Sequence, residues 1–145
     1  MYLREMNNRT EIIPGIYIGK KNTLDNSILN EISGIKKVID TESDLSFIGK
    51  NEQYNHEGIK RELKKYEIAK TIEYFKDCAN TIHNNYLKNI PLIVTCDECD
   101  QLSPSVVLYY LVHYANLPID YSIELLKSKN SGVFRKGVFF YSLIK

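Results

Sequence analysis

Cysteine is scarce in this chain of 145 residues: only Cys78, Cys96 and Cys99 occur. So odd and sparse a set excludes the framework of a small secreted disulfide scaffold and fits a reducing compartment. Long apolar runs are missing as well. None approaches the roughly 20 residues that cross a bilayer, and the opening MYLREMNNRT is charged where a signal peptide needs an apolar stretch. The expectation is a cytoplasmic or otherwise intracellular protein with no membrane contact. Nor is there an excess of charge of one sign. The 19 basic and 18 acidic side chains are scattered along the whole length, without the basic stripe that neutralises phosphates, so nucleic acid is not an expected partner. The histidines His56, His83 and His113 stand singly and supply no fourth ligand to a set built on Cys96 and Cys99. Neither a metal nor a cofactor is expected.

What remains is the composition of a folded domain. Hydrophobic residues make up 43% and charged residues 26%, the balance of a globular chain rather than a disordered or fibrous one. The length suits one domain over residues 1–145, with residues 1–10 as a flexible lead. No internal repeat, linker or low-complexity tract interrupts it. The abundance of Ile, Lys, Asn and Tyr matches AT-rich codons, such as those of large DNA viruses and protists.

Periodicity then gives the elements. Residues 12–18 (IIPGIYI) read as one short strand, with Pro14 and Gly15 marking an edge position or a bulge. Thr23 is placed to cap a helix whose Leu24, Ile28, Leu29 and Ile32 share a face, with Gly34 as its stop. Ile35 to Ile39 is a second strand. From Asp40 to Lys65 the pattern is irregular and reads as loop, with one short strand near Tyr54 to Ile59. Ile68, Ile72, Phe75, Ala79 and Ile82 repeat at helical spacing, and that helix is expected to end near Asn84 and Asn85. Ile90 to Val94 is a brief apolar run suited to a buried central strand. After it come Asp97, Glu98 and Asp100 with two cysteines, and then Ser103 as cap and Pro104 in the first turn of a helix carrying Val106, Val107, Tyr110, Leu111 and Tyr114. Two closing helices, Ile119 to Lys127 and Lys136 to the end, are separated by Gly132. Strands alternating with helices in this order predict an α/β domain with a mixed sheet of about four to five strands flanked by helices.

The strand PLIVTC (91–96), the short loop and the helix beginning SPSVVLYYL (103–111) resemble the layout that carries the signature H-C-x-x-G-x-x-R-S in the cysteine-dependent phosphatases. The resemblance is to the dual-specificity branch and covers nearly the entire chain. EIIPGIYIGK (11–20) is similar to that family's opening strand, GIKKVIDT (34–41) to its second, and Phe75 to Ile82 to the helix before the catalytic strand. LPIDYSIELLKSK (117–129) and KGVFFYSL (136–143) are similar to its two closing helices.

In that family the cysteine attacks phosphorus as a thiolate, backbone amides cradle the phosphate, and the arginine clamps its oxygens. Carried across residue by residue, the nucleophile position is Cys96 and the hydroxyl that assists the leaving thiolate is Ser103. Thr95 stands at the histidine position, Cys99 at the glycine position and Leu102 at the arginine position. Leu102 can neither donate a hydrogen bond nor carry charge, so the bidentate clamp has no replacement in the loop. The other arginines, Arg4, Arg9, Arg61 and Arg135, are remote in sequence. Cys99 is expected to bar a backbone angle that glycine would allow. Asp97, Glu98 and Asp100 repel an anion and disfavour a thiolate, although as a solvated acidic start to the helix they complement its dipole. The general acid of the family lies about thirty residues before the cysteine, at or near Lys65 here, and a lysine cannot serve. Glu62 and Glu67 are the neighbouring carboxylates that a displaced acid would use.

The resemblance therefore implies a pseudophosphatase, a binding or regulatory protein with the signature loop reduced to T-C-D-E-C-D-Q-L-S and no functioning catalytic residue. Asp97, Glu98, Asp100 and Gln101 are the loop's polar groups for binding. The implied partner is a protein, and a homodimer is compatible with the pattern. Two other readings compete. One is a weakly active phosphatase with an unusual substrate. The other is a thiol redox protein using the C-x-x-C of Cys96 and Cys99.

Overall fold

Pro14 fixes its own backbone angle and Gly15 takes a positive φ of 86°, and together they reverse the chain in two residues as a proline–glycine turn does. The stretch expected to be one strand with a bulge is therefore a hairpin, β1 (Arg9–Ile13) and β2 (Ile16–Lys20), paired antiparallel. The Glu11 carboxylate accepts the Gly15 N–H at 2.8 Å and fastens the turn. Arg9 and Thr10, expected within a flexible lead, are the first residues of β1.

The computed structural model describes residues 9–20, 34–41, 64–96 and 98–145. The helix expected from Thr23 and the strand expected near Tyr54 lie outside the described residues. Two further strands, β3 (Lys37–Asp40) and β4 (Leu92–Cys96), complete a mixed sheet of order β1-β2-β4-β3. β4 lies parallel to both β2 and β3. Its five residues are all buried, which is why it reads as an unbroken apolar run instead of an alternating one.

Helix α1 (Lys65–Leu87) lays Phe75, Cys78, Ala79 and Ile82 into the core. Ile68 and Ile72 flank that stripe half-buried. The helix outruns the expected stop at Asn85 because Asn89, at φ 57°, closes it. The Ile90 N–H donates to Asn85 O at 2.9 Å and the Asn89 N–H to Tyr86 O at 3.1 Å, the paired bonds of a Schellman cap. Since α1 runs down to the start of β4, its first residue Lys65 and the Cys96 end of β4 share one end of the domain, and Leu87 and Pro91 the other.

Helix α2 (Leu102–His113) is buried at every residue from Leu102 to Leu111, as a helix apolar on all sides must be. It begins one residue before the expected cap: Gln101 precedes it, and Ser103 is already helical. Pro104 still falls in the first turn, where its missing N–H would have had no helical partner. α1 and α2 pack through Phe75, whose ring is 5.8 Å from both Tyr109 and Phe140. Helix α3 (Ile119–Lys129) follows as expected, but the last helix is a single turn, α4 (Tyr141–Ile144). Gly137 at φ 96° is incompatible with a helix running from Lys136. Among the described residues no helix is long and apolar enough to cross a membrane.

Candidate functional site

Where the central strand ends, the chain turns through Glu98 to Gln101 and enters α2, so the last residue of β4 faces the start of a helix. Cys96 is that residue, and it is buried. The Ser103 hydroxyl lies 3.3 Å from Cys96 Sγ and 3.6 Å from Cys99 Sγ, and the Ser103 N–H donates to Cys96 Sγ at 3.5 Å. Of the residues singled out in sequence, the structure thus joins Cys96, Cys99 and Ser103 around one hydroxyl. Thr95 is also fully buried, but on the other side of the strand. Its hydroxyl reaches Ile39 O at 3.5 Å, while its carbonyl accepts the Thr41 hydroxyl at 2.8 Å.

Cys99 does not bar the left-handed angle that the motif reserves for glycine. It adopts it, at φ 56°, at a cost of about 1–2 kcal/mol, offset by burial of a side chain that is 4% exposed. Burial, reinforced by the adjacent Cys96, pushes the Cys99 thiol up to about 12, despite the Ser103 hydroxyl and Lys20, which act the other way. A thiol so raised is protonated at neutral pH, which removes the thiolate that thiol–disulfide exchange requires of it.

Leu102, at the arginine position, is 3% exposed and belongs to the hydrophobic core. Two other arginines fall among the described residues. Arg135 is exposed. Arg9 stands closer to the loop than its sequence position suggests, since it pairs with Gly19, which pairs with Thr95. Residues in one row of a sheet project to the same face, so Arg9 leaves the sheet on the face of Thr95, opposite to that of Cys96.

The loop's polar residues divide. Glu98 is exposed, Asp100 is half-buried, and Asp97 lies outside the described residues. Gln101, expected to be available for binding, is 1% exposed with both ends of its amide engaged. Nε2 donates to Gly137 O at 2.8 Å, and Oε1 accepts the Phe139 N–H at 3.1 Å. Asp100 O accepts the Phe134 N–H at 3.0 Å. Burial raises the Asp100 carboxyl above its ordinary range and Glu98 adds to the effect, against backbone hydrogen bonds and Lys136. A carboxyl raised on folding contributes stability below its unfolded pKa and loses it as pH climbs through the folded value. Asp100→Asn should therefore melt at a higher temperature than the parent at about pH 7 and with little difference at about pH 3; scanning calorimetry at the two pH values checks this.

Lys65 is exposed at the start of α1, at the same end of the domain as the loop. Glu67, a carboxylate considered for a displaced acid, is 4% exposed, and its Oε1 accepts the Lys64 N–H at 2.9 Å as part of a helix cap. Glu62 lies outside the described residues.

This arrangement of sheet, loop and helices matches solved structures. The fold is that of the dual-specificity phosphatases. A leucine-rich-repeat and phosphatase-domain protein from Entamoeba histolytica superposes with a TM-score of 0.71 at 12% identity, over 94% of this chain and 88% of that one. A mouse putative dual-specificity phosphatase, solved with zinc tungstate, gives 0.70 at 12% identity over 95% and 84%. The human tyrosine phosphatase-like serine/threonine/tyrosine-interacting protein gives 0.62 at 16% identity over 93% and 92%. No protein-family model and no curated protein sequence matches the chain.

On this phosphatase fold, three features of the site went unread in the sequence. Gln101 ties the loop to the segment 137–139, Thr41 braces the end of β4, and Lys20 stands in register with Cys96. The first two are contacts across 36 and 54 positions, which no local pattern signals. Lys20 was findable, because it ends the apolar run of β2 as Cys96 ends that of β4.

Proposed function

We propose that the chain is a pseudophosphatase, an intracellular binding or regulatory protein that keeps a dual-specificity phosphatase fold without its chemistry and engages a protein partner. The observation that carries this reading is Leu102: at the position of the phosphate-clamping arginine stands an aliphatic side chain packed into the core. A phosphoryl group in the loop would meet no guanidinium from that position, and it would meet the carboxylates of Glu98 and Asp100. The human phosphatase-like interacting protein, whose fold this chain shares, supports the reading by its own description.

A weakly active phosphatase is the second reading. It is favoured by the retained contact of 3.3 Å between Cys96 Sγ and Ser103 Oγ. Steady-state assay of the purified chain with p-nitrophenyl phosphate separates the two. The expected result is the same background rate for the parent and for Cys96→Ser. Cys96-dependent turnover at a rate near that of working phosphatases would overturn the pseudophosphatase reading.

A further inference from the structure

At the end of the sheet opposite Cys96, the Pro14–Gly15 turn, the last turn of α1 and the Ile90–Pro91 link enclose an open cleft of about 430 Å³. Its walls are largely apolar, with Pro14, Tyr86, Leu87, Ile90 and Pro91 among them. Tyr86 and Leu87 are 43% and 64% exposed. Such side chains gathered at one cleft mark an interaction surface more often than scattered apolar residues do. The cleft is also preformed. The Leu92 N–H donates to Gly15 O at 2.9 Å, and the Schellman cap at Asn89 fixes the turn beside it, so little ordering remains to oppose binding.

Among the described residues, the charge around this cleft has one sign in excess. Lys88 lies between Leu87 and Asn89 of the wall. The Lys36 N–H donates to Pro91 O at 3.0 Å, and Lys37 pairs in register with Leu92. All three lysines are exposed, and among the described residues none has an ion-pair partner. The one carboxylate at the same turn, Glu11, accepts the Gly15 N–H. The carbonyl end of α1 opens towards the cleft and disfavours an anion directly on the helix axis. An apolar group therefore suits the floor, and carboxylates suit the lysine rim.

We propose that this cleft docks an acidic peptide segment of a partner protein, which seats an aliphatic or aromatic side chain against Leu87 and Pro91 and sets carboxylates against Lys36, Lys37 and Lys88. The proposal rests on the reading of the chain as a binding protein and assigns the binding face to the end of the domain away from the loop.

Fluorescence anisotropy with the full chain tests it. The probes are fluorescein-labelled nonapeptides in which Glu-Asp-Glu segments flank a Leu-x-Leu centre, x being Leu, Phe, Trp or Ala. Counterparts carry Gln and Asn, or Lys, in place of the acids. The acidic peptides with a large central side chain should bind with Kd of about 10–100 μM. The amide counterparts should bind at least tenfold more weakly and the lysine counterparts not at all. Affinity should fall several-fold between about 50 and about 300 mM salt. Leu87→Asp and the pair Lys36→Glu with Lys88→Glu alter exposed positions that leave the fold intact, and each should weaken binding at least tenfold. Lys129→Gln, an exposed change at the far end of α3, should leave it unchanged. No saturable binding of any acidic probe up to about 1 mM, equal binding of the amide counterparts, or indifference to the cleft substitutions would each overturn the proposal. Those failures would leave the turnover comparison of parent and Cys96→Ser intact, and turnover would sink the pseudophosphatase reading whatever the peptides do.

Discussion

Leu102→Arg, the single change that restores the phosphatase signature's charge, is expected to yield a less stable protein that still fails to hydrolyse an aryl phosphate. Leu102 is 3% exposed, and its replacement removes an aliphatic side chain from the core and introduces a guanidinium that must find partners or water. The loss should be about 3 kcal/mol, read as a lower urea midpoint with an unchanged slope. Activity should stay at background because the clamp is one defect among several. On the proposed reading, the raised Asp100 carboxyl and Glu98 still oppose an incoming phosphate, and the position that the resemblance gives to the general acid is still a lysine, Lys65. Turnover is expected first when Leu102→Arg is combined with Cys99→Gly, Asp97→Asn, Glu98→Gln and Asp100→Asn, and it should vanish on adding Cys96→Ser. Thr95→His is best left out of that set, since Thr95 is fully buried and a larger ring would overpack the strand. An unaltered melting curve for Leu102→Arg, or Cys96-dependent hydrolysis by that single variant, would show that position 102 is not the packed core residue described here.

Stability should also fall steeply in alkali. Cys99 rises from an ordinary 9.0 to about 12 on folding, so above pH 9 the unfolded chain releases a proton that the folded chain keeps. Stability from this thiol is complete below the unfolded value and disappears as pH climbs through the folded one. The contribution is on the order of 2–4 kcal/mol. Tyr109 and Tyr110, both raised by burial, push the same way at slightly higher pH. Cys99→Ala separates the terms: the parent's urea midpoint should drop more between about pH 8 and about pH 11 than the variant's. Parallel curves would show that Cys99 reaches solvent.

The legibility of the chain followed the locality of its signals. β4 and α2 were readable because each is a continuous apolar stretch, and because Cys96 and Ser103 sit seven positions apart at their junction. The hairpin was misread because Pro14–Gly15 serves a bulge and a two-residue turn equally well in sequence, and only the partner strand decides. Gln101 looked like a solvent-facing loop residue. Its neighbours at 137 and 139 are too distant for any periodicity to reveal. Cys99 was misjudged for a different reason: the cost of a left-handed cysteine is small enough for burial to offset. The cleft at the other end of the sheet was invisible, since its residues come from the hairpin turn, the end of α1 and the link to β4.

Gln101 has a bearing on how such a loop changes over generations. A loop moulded around a bound anion loses its shape-giving constraint once the anion no longer matters, and its residues drift together. Here the loop hangs on the amide of Gln101 and the carbonyl of Asp100, both joined to the tail between Phe134 and Phe139. Selection for a folded tail is then enough to preserve the loop's form, and signature positions can be exchanged one at a time beneath it. Cys96 and Ser103 are held 3.3 Å apart by the packing of the loop itself, whether or not an anion occupies it.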